Sequence, residues 1–242
     1  MLAGCVLATL VALLSFVLQW ITLDAVWATI LLGGLTLGLG GWPAAGLLFY
    51  FFVTGSLLSQ SGDDASKDRP HAERRTGLQV WANGFWFAFF LSLWYILGNH
   101  IWWAAAAAAI ATAAADTWAT EFGSRFLWGR TILINGGGSV SPGTDGGISL
   151  IGTVAGLAAA LITGLLALVF VPNMNPLTGW YIAGAGWIGC LADSWLGAVF
   201  QRSEMKEERP FEQPRRLDND AVNGLATLIG AVVALILTQW AM

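Results

Sequence analysis

Two aspartates, Asp116 and Asp193, stand inside otherwise apolar runs. An ionisable group in such a run costs roughly 2.5 kcal/mol or more near the centre of a membrane span, so each marks a candidate site. Their surroundings are near copies, Ala115-Asp116-Thr117-Trp118 and Ala192-Asp193-Ser194-Trp195, and each aspartate lies nine residues before an arginine, Arg125 or Arg202. On helices rising 1.5 Å per residue, both carboxylates would sit about 13 Å below a basic loop. Asp116 and Thr120, like Thr117 and Glu121, are spaced i,i+4, which puts their oxygens on adjacent stripes of one helix. Hard oxygen ligands of this kind suit Mg²⁺, which takes one or two carboxylates and completes its shell with water and phosphate oxygens. The alternative is a structural acid hydrogen-bonded to a neighbouring helix, but two acids at one depth favour metal. The expected ligands are therefore Asp116, Glu121 and Asp193, with Asp116 and Asp193 central to catalysis.

A glycine-rich loop follows the first acidic run and reads Asn135-Gly136-Gly137-Gly138-Ser139-Val140-Ser141-Pro142-Gly143-Thr144-Asp145-Gly146-Gly147, with Ile148-Ser149 opening the next apolar run. Glycine permits close backbone approach, and a helix N-terminus presents unpaired N–H groups, so the stretch suits an anionic phosphate. It is no Walker loop, because no Gly-Lys-Ser/Thr follows. Glycine turns also merely connect helices; the neighbouring Asp116, Glu121, Arg125 and Arg130 tip the reading towards phosphate. Gly143, Thr144, Gly146, Gly147, Ser149 and Arg125 are the expected contacts. A second echo pairs Asn83-Gly84 with Asn223-Gly224, each near the start of a span that leaves a basic loop. Both asparagines are expected to contribute equivalent polar groups to one phosphate-binding cavity.

These groups need a membrane scaffold. Of 242 residues 56% are hydrophobic and 11% charged, with a mean hydropathy of +0.66, against roughly a quarter charged in soluble domains. The apolar runs are long enough for helices crossing a core about 30 Å thick, and the short alternating segments of a β-barrel are missing. The expectation is an all-α polytopic transmembrane bundle of 7 to 8 spans, forming one domain over 1–242. The spans fall near 2–23, 25–41, 43–59, 78–97, 100–122, 148–171, 179–200 and 219–241. Those at 25–41 and 43–59 are either a bent pair or one kinked element. The first run, without basic residues ahead of it, is expected to stay as a span rather than be cleaved.

All eleven basic residues fall in three stretches: Lys67, Arg69, Arg74 and Arg75; Arg125 and Arg130; and Arg202, Lys206, Arg209, Arg215 and Arg216. Eight spans put the three on one face, which basic enrichment identifies as cytoplasmic. Lys67, Arg74, Arg75, Arg215 and Arg216 are within reach of a polyphosphate. Trp102, Trp103, Trp180 and Tyr181 are expected as anchors at the outer interface. A net charge of −4, with the basic residues confined to loops, gives no ground for a nucleic-acid partner. Cys5 and Cys190 read as small buried hydrophobes.

Taken together, Gln79–Gly84 (QVWANG), Ala115–Gly123 (ADTWATEFG), Ser141–Gly152 (SPGTDGGISLIG), Ala192–Ala198 (ADSWLGA) and Asn219–Gly224 (NDAVNG) resemble the integral-membrane family that contains the plant phytyl-phosphate kinase of vitamin E biosynthesis. The likeness runs from about Gln79 to Gly224, with a more distant similarity to CTP-using polyprenol kinases and CDP-lipid synthases. It implies a Mg²⁺-assisted, nucleotide-dependent kinase, with CTP the favoured donor, that converts an isoprenoid monophosphate to the diphosphate at the cytoplasmic face of a bacterial inner membrane or its equivalent. A homodimer is left open. Asp145 stands where the family more often has Asn, an extra carboxylate that either binds metal or repels phosphate. Two rival expectations use the same residues: a CTP-dependent cytidylyltransferase acting on a lipid phosphate, and a transporter with its site between related halves.

Overall fold

A computed structural model describes residues 2–60, 74–126, 129–171, 174–201 and 217–240. Among the described residues are seven helices, α1 (Leu2–Val17), α2 (Leu23–Gln60), α3 (Gly77–Leu97), α4 (His100–Arg125), α5 (Leu150–Phe170), α6 (Pro176–Phe200) and α7 (Asn219–Gln239), with one small antiparallel sheet between α4 and α5. Its strands are β1 (Thr131–Leu133), β2 (Ser139–Val140) and β3 (Gly147–Ile148), in the order β2-β1-β3. The chain is an all-α polytopic membrane bundle. Five of its helices, α2, α3, α5, α6 and α7, are long and apolar enough to cross a membrane.

Local chemistry sets the helix ends. Thr76 and Gln79 form a reciprocal capping box at the start of α3, and Gly98 closes that helix in the left-handed region at φ 68°. Asn99, Ser149, Asn175 and Asp218 each accept a backbone N–H at the first turn of α4, α5, α6 and α7. The expected first span, 2–23, ends early at Val17: Gln19 adopts φ 61°, and residues 18–22 turn the chain into α2.

α2 resolves the ambiguity over 25–41 and 43–59. Gly41 leaves the helical region (φ 61°, ψ −155°) two residues before Pro43. A straight helix would carry Phe52 about 43 Å from Leu23, yet the Phe52 ring lies 6.2 Å from that of Trp20, just ahead of α2. The chain therefore reverses at Gly41, and the arms 23–40 and 43–60 are two antiparallel segments. Glycine is required there, since φ 61° combined with ψ −155° is a backbone conformation essentially closed to residues with a Cβ.

The reversal brings many ends to one side. Asp24 accepts from Gly77 N at 2.7 Å, Ser59 meets Glu121 at 2.6 Å, Gly123 faces Gly152, and Gln201 meets Asn219 at 3.1 Å. Of the expected basic residues, Arg74, Arg75, Arg125 and Arg130 lie at or beside this end. Lys67, Arg69, Arg202, Lys206, Arg209, Arg215 and Arg216 lie outside the described residues, in stretches that the chain leaves and re-enters at the same end.

α4 is the hub, packed against α2, α3, α5, α6 and α7. Every residue from Ala104 to Ala115 is buried. Because this helix is sheathed by others, it can be Ala-rich rather than Leu-rich, and small side chains let neighbours approach closely. A Cβ on Gly186 would sit 3.0 Å from Ala111 C, and one on Gly156 would sit 3.0 Å from Ala115 O. The expectation for Trp103 is corrected by the same packing: it is fully buried against Trp94, with ring centroids 5.5 Å apart, and is no lipid-facing anchor. Trp180 is exposed, as an anchor should be.

Candidate active site

Asp116 directly follows the buried stretch of α4, and Asp193 lies about two turns before the C-terminal end of α6. The two helices pack closely enough for the carboxyls to come into hydrogen-bonding contact. Two ionised carboxylates cannot donate to one another, and Asp193 Oδ2 is buried with no donor among the described residues. A proton or a cation between the two oxygens removes the conflict. Asp145, at the tip of the glycine loop, adds a third negative charge whose field reaches Asp193.

These acids border a cavity of about 130 Å³ roofed by the loop from Gly143 to Ser149. At roughly 30 Å³ per water the space holds an ion and a few waters or a phosphate group. It is too small for a whole nucleotide, for which sites of about 300 Å³ upwards are usual.

The loop is held rigidly over the cavity. Gly147 N donates to Thr144 O at 2.8 Å, Thr144 Oγ1 to Ser141 O at 2.7 Å and Ile134 N to Gly146 O at 3.0 Å. Gly143 and Gly146 have φ of 82° and 73°. A Cβ on Gly146 would lie 2.5 Å from Ala198 N and Cα, so the absence of a side chain lets the loop rest on the last turn of α6. Ser149 lines the cavity while its hydroxyl accepts from Gly152 N at 3.1 Å.

The structure thus gathers Asp116, Asp193, Gly143, Thr144, Gly146, Gly147 and Ser149 around one space. It sets the other expected residues apart. Glu121 is turned towards α2, where Ser59 Oγ donates to it at 2.6 Å and Arg125 pairs with it at 2.8 Å. Arg125 also donates to Leu58 O. Neither Glu121 nor Arg125 borders the acidic cavity, so Glu121 stands apart from the two aspartates with which it was expected. The physical reason is angular: residues 116 and 121 are about 140° apart around a helix turning 100° per residue. Asn83 donates to Gln79 O within α3 at 2.9 Å, and Asn223 is buried on α7, where Thr227 Oγ1 approaches Ala82 O at 3.4 Å. The two Asn-Gly pairs mark the α3–α7 packing seam, away from the cavity.

Sequence reasoning passed over Gln201 and Asn219, which border the cavity and hydrogen-bond to each other. Asn219 opens the motif in which only Asn223 drew notice. Gln201 carried no signal, because its approach depends on how α6 ends beside α7. For a cation, the fit rests on the orphaned Asp193 oxygen and its facing partner. Among the described residues no group of three or more His, Cys, Asp or Glu is arranged to hold a metal; two carboxylates nevertheless match what Mg²⁺ usually takes from a protein.

Bundle and site define a multi-pass membrane protein with a buried acidic pair beneath a glycine loop at one end. The chain belongs to the integral membrane protein family DUF92, whose model matches residues 6–231. It is 31% identical over 199 residues to an uncharacterized membrane protein of Methanocaldococcus jannaschii, covering 79% of this chain and 74% of the relative. It is 30% identical over 214 residues to one of Synechocystis, covering 82% and 77%. Against protein VTE6, chloroplastic, of Arabidopsis thaliana, it is 31% identical over 130 residues, covering 53% of this chain and 36% of that protein. No solved structure matches the chain. The family resemblance carried by the five motifs is borne out.

Proposed function

We propose that the protein is a nucleotide-dependent kinase that phosphorylates an isoprenoid monophosphate to the diphosphate. The observation that carries this reading is the contact between Asp116 and Asp193 beneath the Gly143–Gly147 loop. The motif resemblance to the family of the plant phytyl-phosphate kinase supports the substrate class, as does the chloroplast relative. CTP is the favoured donor on the same resemblance. The position of Arg74, Arg75, Arg125 and Arg130 at or beside the site end supports a cytoplasmic orientation.

Asp116 and Asp193 would hold Mg²⁺, which when bound supplies positive charge to the nucleotide phosphates. The loop backbone positions a phosphate at the cavity roof, and its hydrogen bonds keep it from collapsing onto the acids. Asp145, Gln201 and Asn219 supply further oxygen and amide groups at the rim. The acceptor is already an oxyanion, so no strong general base is needed, and the work is alignment and charge stabilisation. His100, remote at the outer end of α4, agrees with that. The nucleoside itself lies outside the small cavity. A transporter would want its polar groups at mid-membrane, whereas this cluster stands at one end.

The test is incubation of purified protein with geranylgeranyl or phytyl monophosphate, Mg²⁺ and CTP labelled at the γ or the α position. Kinase chemistry moves the γ label into lipid. Transfer of the α label with pyrophosphate release identifies a cytidylyltransferase instead, and no transfer from any nucleoside triphosphate defeats the proposal.

A further inference from the structure

A second and much larger cavity, about 680 Å³, is lined by α1, both arms of α2, Arg75, α3 and the end of α5. It falls in the range of about 300–1,000 Å³ usual for small-molecule sites, and its walls are almost wholly apolar. Polarity is confined to its inner end, where Arg75, Gln79 and Thr29 stand. From Phe52 at that end to Trp42 at the other, α2 rises about 15 Å. The space has the form of an amphiphile, with a head position towards the loops and a hydrocarbon channel towards the bilayer centre.

Arg75 makes the head position anionic in preference. Its guanidinium lies over Phe51 at 5.1 Å and Phe52 at 6.0 Å, and among the described residues it makes no side-chain hydrogen bond or ion pair. Enclosure draws its pKa down to about 10 while the Glu121 carboxylate holds it up, so it remains a cation at neutral pH. Glu121 is already paired with Arg125, which leaves two guanidinium groups to one carboxylate. Thr29 lines the same space, and its hydroxyl is buried without a partner among the described residues. Arg75 and the side chain of Thr117, the neighbour of Asp116, crowd the same spot beside Gly55. A phosphate on Arg75 would therefore lie one helix face from the acidic pair.

We infer that this cavity is the acceptor site: it takes the isoprenoid tail, and Arg75 holds the monophosphate. The assignment rests on the kinase reading for the identity of the occupant, while the binding it requires is independent of any nucleotide. Tritium-labelled geranylgeranyl monophosphate is titrated onto protein in nanodiscs without nucleotide or Mg²⁺, using wild type, Arg75→Gln and Ala45→Trp, the last filling the apolar wall. Arg75→Gln should weaken binding on the order of tenfold or more, as for loss of a charge-assisted hydrogen bond, and leave geranylgeraniol binding unchanged. Ala45→Trp should weaken both. Wild-type affinity in both variants, or equal displacement by phosphatidylglycerol, overturns the inference. If Arg75→Gln does not fold, Ala45→Trp decides alone. Binding that follows this pattern without phosphoryl transfer defeats the kinase reading but keeps the site; transfer unimpaired in Ala45→Trp does the reverse.

Discussion

The carboxyls of Asp116 on α4 and Asp193 on α6 meet inside the bundle, and one of their oxygens, Asp193 Oδ2, has no donor among the described residues. Two facing acids without a donor are costly unless something positive lies between them. Their persistence at a helix contact otherwise built of alanine and glycine is what a structural role fails to explain.

Asp116→Asn and Asp193→Asn should each lower phosphoryl transfer on the order of 10²-fold or more, the scale of losing a principal charge-stabilising group. Both should fold, with thermal midpoints in detergent equal to or above wild type, because an amide can donate to the remaining carboxylate. A variant that unfolds instead would mean that the pair is structural.

Mg²⁺ should raise the thermal midpoint of the wild-type protein in the absence of nucleotide. A ligand at a hundred times its Kd adds about 2.7 kcal/mol, which is several degrees for a chain of this size. The shift should vanish with EDTA and be lost in the Asp116→Asn, Asp193→Asn double variant. An equal shift in that variant would place the ion elsewhere.

Gly146→Ala forces a side chain into φ 73° and against Ala198. The backbone strain alone costs about 1–3 kcal/mol, and it falls on the loop rather than on the bundle. Transfer should drop sharply while the midpoint of the helical unfolding transition hardly moves, and proteolysis should cut first within the loop.

Glu121→Gln offers a contrast with the aspartates. It removes the charge of a partly exposed pair with Arg125, worth roughly 0–1 kcal/mol, and leaves the acidic cavity untouched. Activity should fall less than about tenfold, with the change in the KM for the lipid monophosphate rather than in kcat, since Arg75 and Arg125 would lose their shared carboxylate. A loss as deep as that of Asp116→Asn would restore Glu121 to the metal.

Much of this architecture is legible in the chain because a bilayer imposes length and polarity on every segment that crosses it. The apolar runs that became α3, α5, α6 and α7 could be marked to within a few residues. The two aspartates stood out for the same reason: in an apolar helix a single charge is conspicuous.

The tertiary structure decided what depends on rotation and reversal. A residue list shows that Asp116 and Glu121 share a helix, but only packing shows that one faces α6 and the other α2. Gly41 and Pro43 could mean a bend or a turn, and the tilted ring contact of Trp20 with Phe52 makes it a turn. Gln201, Asn219 and Arg75 acquire their settings from contacts between segments distant in sequence. Composition sets how deeply a side chain is carried into the membrane; which neighbour it meets there is settled by small differences in helix approach that alanine and glycine allow.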